Sequence, residues 1–158
     1  MKQKTLLYII GGITLLLFIL RKPINKAMSR GLRNKNPGNI RKTAGMWKGE
    51  IVGKDKDFKT FKSMAYGYRA IFVLLQGYFS KGYNTIEKII NRYAPSSENA
   101  TGAYIATVSE LSEIPPDQVL SFNNVLQIKR IVKAISYVEN GVHADDVEVE
   151  NGFKLISV

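Results

Sequence analysis

The sequence predicts a mainly α-helical domain of the α+β type, preceded by a transmembrane helix and carrying a small β-hairpin lobe. Three observations lead there. Residues 5–20 form an uncharged, mostly apolar run. From residue 65 onward, apolar side chains recur at helical spacing in four successive segments. Between these regions, residues 46–61 place aromatic and β-branched residues in partial alternation, interrupted by Gly53 and a lysine-rich turn.

The apolar run comes first. Its residues would cover about 24 Å as a helix, against a hydrocarbon core of about 30 Å. Lys4 and Arg21 can close the gap by snorkelling, with Tyr8 near one interface. The run is terminal and apolar on every face, which separates it from a buried core helix. A cleaved signal peptide is the rival reading, with Ala27 and Ser29 as a small-x-small pair. The basic stretch that follows the run favours an uncleaved anchor over residues 1–22 and a basic linker over 23–29. The flank after the run is the richer in Lys and Arg, which predicts a cytoplasmic domain in a cell membrane.

The folded domain is expected over residues 30–141. Residues 31–43 read as a loop, with a type II turn at Asn36-Pro37-Gly38-Asn39. Tyr68, Ile71, Phe72, Leu75 and Phe79 mark a central helix. Thr85 caps a second helix through Ile86, Ile89, Ile90 and Tyr93, which Pro95 ends. A third helix runs from about residue 99 to 111 with Tyr104, Ile105, Val108 and Leu111 inward. A fourth carries Val125, Ile128, Ile131, Val132, Ile135 and Val138, and stops at Asn140-Gly141. Residues 142–158 read as a tail, with a hairpin signal at Asn151-Gly152. A helical lobe facing a small sheet lobe leaves a cleft between them, where a site is expected.

Composition narrows the chemistry. The 158 residues contain no cysteine and one histidine, His143, which argues against a thiolate site, a cysteine nucleophile, a Ser-His-acid triad and a multi-histidine metal centre. Phosphate-loop, dinucleotide and metal motifs are absent from the sequence, so no cofactor is expected. The net charge is +10, and no carboxylate precedes Glu50. Such a basic half suits an anionic partner: lipid headgroups, nucleic acid or an acidic wall polymer. No nucleic-acid reading motif accompanies the charge.

The densest polar cluster is Arg30-Gly31-Leu32-Arg33-Asn34-Lys35-Asn36-Pro37-Gly38-Asn39-Ile40-Arg41. Asn34, Asn36 and Asn39 can bond their own backbone and hold a tight loop. The same side chains can instead line a cleft and hydrogen-bond sugar hydroxyls and acetamido groups. The cluster resembles the R-G-I-R-N-N-N-P-G-N-I-R signature of phage virion proteins with a lysozyme-like domain. Further blocks follow in the same order. Trp47-x-Gly49-Glu50 is similar to that family's W-x-G segment, and Phe58-x-x-Phe61 and Gly67-Tyr68-Arg69-Ala70 to its F-x-x-F and G-x-R-A elements. Ile89 to Pro95, followed by Glu98-Asn99-x-Thr101-x-x-Tyr104-Ile105, resembles its I-I-x-R-W-A-P…E-N-x-T-x-x-Y-I block.

That resemblance implies a lysozyme-like fold and cleavage of the bond between N-acetylmuramic acid and N-acetylglucosamine in peptidoglycan, by hydrolysis or transglycosylation. Two carboxylates stand out. Glu98 precedes the third helix beside Asn99 and Thr101, where capping is its structural role. Glu50 follows Trp47, whose apolar wall would raise a carboxyl pKa as a general acid needs. One could protonate the glycosidic oxygen while the other steadies the oxocarbenium-like centre. Tyr93 and Tyr104 are the candidates to stack on a sugar, and Asn34, Asn36, Asn39, Trp47, Asn99 and Thr101 complete the expected substrate site. Many lysozyme-like enzymes carry an acid on a helix before the asparagine-rich loop, and this chain has none there. That favours a second reading, an inactive structural virion protein of the same fold held in a membrane by residues 5–20 and touching other virion proteins. A basic nucleic-acid binder is the third.

Overall fold

The computed structural model describes residues 28–95 and 100–156. The expected membrane anchor, most of the basic linker, Glu98 and Asn99 therefore lie outside the described residues. Among the described residues, no helix is long and apolar enough to cross a membrane.

The described chain is mainly helical with one small sheet. In order come α1 (Arg30–Arg33), β1 (Glu50–Ile51), β2 (Thr60–Phe61), α2 (Met64–Phe79), α3 (Ile86–Tyr93), α4 (Thr101–Ser112), α5 (Val125–Asn140) and α6 (Asp146–Lys154). α2 is buried along Tyr68, Ile71, Phe72 and Leu75, as its apolar spacing requires. It packs against α6 and α5, and α4 packs between α3 and α5. The Thr85 hydroxyl accepts the Lys88 N–H at 3.2 Å and starts α3, whose buried stripe is Ile86, Ile89 and Ile90. Asn124 caps α5 in the same way, and Gly141 at φ 68° ends it.

The β lobe is smaller than its sequence pattern predicted. β1 and β2 pair antiparallel with Glu50 opposite Phe61 and Ile51 opposite Thr60, and an isolated bridge joins Arg41 to Phe58. Phe61 anchors the lobe in the core, and its N–H bonds the Asn34 carbonyl at 2.9 Å.

Four expectations are corrected. The expected loop over residues 31–43 begins inside a helical turn, α1, capped by the Ser29 hydroxyl. The Asn39 N–H closes a turn onto the Asn36 carbonyl, but the positive φ belongs to Asn39 (45°) and not to Gly38, so the turn is not type II. Gly38 answers a different need: a Cβ there would lie 2.4 Å from the Tyr93 hydroxyl. In α4, Tyr104 and Val108 are buried as expected, but Leu111 is 39% exposed and Ser112 is buried instead.

The largest correction is the tail. Residues 146–154 form a helix, not a hairpin. The Asp145 carboxylate accepts the Glu148 N–H at 3.0 Å, and Asp146 and Glu148 sit in the first turn with Lys154 in the last, which suits the helix dipole. Val149 is buried and Phe153, one turn on, meets Phe72 edge-on, so the helical period wins over alternation. Gly152 serves helix packing: a Cβ there would lie 2.6 Å from the Tyr68 Cβ and 2.9 Å from the Ala65 carbonyl oxygen. The domain thus extends through α6.

Helix propensity alone favours Gly152→Ala by about 1 kcal/mol. The contact with α2 reverses that sign, and Gly152→Ala is expected to destabilise by about 1–3 kcal/mol in urea unfolding. Asn36 is fully buried, with its amide donating to the Ile40 and Lys59 carbonyls and accepting the Ile40 N–H, each at 2.9 Å. Asn36→Ala removes all three bonds and is expected to cost about 3 kcal/mol in the same measurement.

Candidate functional site

A cleft of about 310 Å³ opens between the β lobe and the helices. The β-lobe side contributes Arg41, Thr43, Trp47 and Phe58, and the helical side Leu74, Tyr78, Tyr93 and Ala94. Gly38, Asn39 and Ile40 form the connecting wall, and Glu139 from the last turn of α5 completes it. Glu139 is the acidic group among these lining residues.

The environment of Glu139 is unusual for a carboxylate. It is half-buried, and Asn39 Nδ2 donates to its Oε2 at 2.7 Å while the Tyr104 hydroxyl donates to its Oε1 at 2.9 Å. Burial pushes its pKa up, the two hydrogen bonds pull against that, and the net shift is upward. Tyr104 and Tyr93 are both pushed upward, chiefly by burial, so both stay neutral hydrogen-bond donors. Their rings meet edge-on at 6.4 Å, and the Tyr93 hydroxyl donates to the Gly38 carbonyl. The α5 helix lacks a basic residue in its last turn to offset the acid there.

The expected site residues divide into three groups. Asn39, Trp47 and Tyr93 line the cleft, and Tyr104 reaches it through the Glu139 carboxylate. Asn34, Asn36 and Thr101 are structural ties. Asn34 donates to Asp55, Asn36 is fully buried, and the Thr101 hydroxyl donates to the Ala94 carbonyl at 2.8 Å. Glu98 and Asn99 lie outside the described residues.

Glu50 sits in an ion pair rather than against an apolar wall. Its carboxylate meets the Lys59 ammonium at 2.8 Å, with side-chain exposures of 11% and 1%. Burial pushes Glu50 up, but the Lys59 bond and the Trp47 N–H outweigh it, and the net shift is downward. The expectation that the Trp47 wall raises its pKa fails because that pocket contains a cation. Lys59 Nζ lies 5.9 Å from the Trp47 ring centre.

Glu139 is not among the residues the sequence singles out, since Asn140-Gly141 beside it reads as a helix stop. The signal was present. Ile128, Ile131, Ile135 and Glu139 share one helical stripe, so an acid continues an apolar face.

The raised pKa has a consequence for stability. Where the unfolded carboxyl has lost its proton, native Glu139 still holds one, so native stability falls as pH rises through the native pKa. Glu139→Gln removes that loss. The buried Asn39 Oδ1 has no partner among the described residues, so a turned Asn39 amide can accept from the new side chain. The melting temperature of Glu139→Gln minus that of the wild type should therefore increase from about pH 4 to about pH 8.

Comparison with known proteins adds one relation. No family model matches the chain. It is 37% identical over 137 residues to Protein P5 of Pseudoalteromonas phage PM2, a match covering 83% of this chain and 83% of that protein. At that identity and coverage, the chain belongs to the family of Protein P5 of phage PM2, a family of phage proteins.

Proposed function

We propose that this chain is a membrane-anchored phage virion protein with a lysozyme-like domain that cleaves the glycan strands of peptidoglycan during genome entry, with Glu139 as its proton donor. The observation that carries the reading is the position of Glu139: a half-buried carboxyl with a raised pKa, facing a cleft between a helical lobe and a β lobe. A carboxyl of that kind holds its proton closer to neutrality, which is the state a general acid needs. The R-G-L-R-N-K-N-P-G-N-I-R resemblance supports a glycan substrate, and the phage relative supports a phage setting.

The cleft lining favours chemistry with a single carboxyl. Glu139 would protonate the glycosidic oxygen, and Tyr104 and Asn39 would hold the resulting carboxylate through the bonds they already make. The sugar's own hydroxyl could then attack the anomeric carbon and return a proton to Glu139. That is transglycosylation, and it needs no second acid. Trp47 and Tyr78 line the cleft where a sugar would stack, and the exposed Arg41 suits an anionic substituent.

The inactive structural reading retains one specific support. Both oxygens of Glu139 are already engaged, tying the Asn39 loop to α4 and α5, which is also what a purely structural acid would do.

A zymogram on purified peptidoglycan with the full chain separates these. The wild type should clear the gel, and Glu139→Gln should reduce clearing about 100-fold or more while keeping its fold by circular dichroism. Glu50→Gln leaves a buried Lys59 ammonium unpaired, at a cost of about 3–5 kcal/mol. The informative variant there is therefore Glu50→Gln combined with Lys59→Met, which should retain activity. Loss of clearing in Glu98→Gln with activity kept in Glu139→Gln would sink the assignment.

A further inference from the structure

The β lobe carries a surface that the proposed cleft chemistry does not use. Over residues 28–62 there are ten Lys or Arg and three carboxylates. All three carboxylates are engaged within the lobe: Glu50 by Lys59, and Asp55 and Asp57 by Arg30. Lys35, Lys42, Lys54, Lys56 and Lys62 are exposed beside them. From residue 63 onward the balance reverses, with eight Lys or Arg against ten acids.

The same lobe exposes apolar side chains at its strand end. Val52 is 96% exposed, Met46 72% and Ile51 45%, all within seven residues and followed directly by Lys54 and Lys56. Scattered exposed apolar residues are ordinary on a folded domain. Three of them in one short segment of a lobe with a positive balance are the pattern of a surface that meets an anionic bilayer, with lysines at the headgroups and apolar tips at the acyl boundary. Nucleic acid or an acidic polymer would use the lysines and leave Val52 and Met46 without a role.

Chain length adds an independent argument. Ser29, the cap of α1, lies nine positions beyond the end of the apolar run at Leu20. Fully extended, that stretch reaches about 30 Å. Arg30 in α1 is bonded to Asp55 at 2.7 Å, and the Phe61 N–H to the Asn34 carbonyl, which ties α1 to the β lobe. If residues 5–20 enter a bilayer, this lobe is held within reach of its surface.

We infer that the β-lobe tip around Met46, Ile51 and Val52, with Lys54 and Lys56, docks the domain on the surface of an anionic lipid bilayer. The inference shares the N-terminal anchor with the proposed function but does not depend on catalysis. The chain has no cysteine, so Val52→Cys and Val147→Cys each give the full chain a single thiol for an environment-sensitive dye. Val147 is 67% exposed on α6, beside Asp146 and Glu148. On vesicles of phosphatidylcholine with phosphatidylglycerol, the dye at position 52 should shift to the blue and be quenched by lipids spin-labelled in the upper acyl chain. The dye at position 147 should do neither. Lys54→Glu with Lys56→Glu should abolish the shift at position 52 while the chain still co-sediments through its anchor. Co-sedimentation with both dyes unshifted would overturn docking and leave the anchor standing. Absence of co-sedimentation and of any shift would overturn both. An equal shift on pure phosphatidylcholine, or with duplex DNA at matched phosphate, would overturn the anionic-lipid assignment.

Discussion

The structure depends on burying one polar loop without stranding its backbone. Residues 34–40 run between the β lobe and the helices, where water cannot satisfy their N–H and carbonyl groups. Asn36 supplies the missing partners from the loop itself, accepting the Ile40 N–H and donating to the Ile40 carbonyl and, across the lobe, to the Lys59 carbonyl. Asn140 supplies them from α5, donating to the Pro37 carbonyl at 2.7 Å and to the Ser136 carbonyl at 2.8 Å while accepting from the Ser29 hydroxyl. Close approach does the rest. A Cβ on Gly67 would lie 2.1 Å from the Lys35 carbonyl oxygen, and one on Gly31 2.8 Å from the Asn36 carbonyl oxygen, so only glycine lets the loop sit against α1 and α2.

That seating fixes the cleft as well as the fold. Two loop residues that face the cleft, Gly38 and Asn39, are held by groups with structural duties of their own: Tyr93 bonds the Gly38 carbonyl, and Asn39 bonds Glu139. Glu139 and Asn140 are consecutive, one turned to the cleft and the other to the loop. The end of α5 therefore contributes an acid and its support together. The cost is a carboxylate placed at the helix end where the dipole disfavours it. A site built this way trades some stability for a carboxyl whose proton is held more tightly than in water.

Much of this architecture was legible in the residues. α2, α3 and α5 followed their apolar spacing, and Thr85, Pro95 and Gly141 bounded them through local chemistry that acts at short range. The errors arose where one residue type serves two physical ends. Asn151-Gly152 has the composition of a hairpin turn, yet its glycine is there for Tyr68, a partner more than eighty positions away. Gly38 likewise has the composition of a type II turn and instead makes room for Tyr93. The asparagine cluster combined both roles: Asn36 is a tie and Asn39 a cleft residue, and their spacing of three gives no means of telling them apart. Trp47 lines the cleft. Its neighbour Glu50 was not readable as a paired group, because Lys59 reaches it only once the hairpin has closed.

The Glu50–Lys59 pair also explains how so basic a lobe holds together. Ten cations against three acids in a small lobe repel one another, and the repulsion is weakest where charges stay solvated and farthest apart. Lys59 alone among them is 1% exposed, and it has both a carboxylate at 2.8 Å and the Gly45 carbonyl at 3.3 Å. Arg30, itself exposed, is offset by Asp55 and Asp57, and its guanidinium lies 4.3 Å from the Phe58 ring centre. The few acids are thus spent on pairs within the lobe, Glu50 and Asp55 sheltered and Asp57 at its surface, and the excess positive charge is left exposed. A lobe arranged with its acids outward would carry a smaller external field and would bury unpaired cations, which costs far more than a surface salt bridge returns. Internal pairing and external basicity are therefore two results of one constraint.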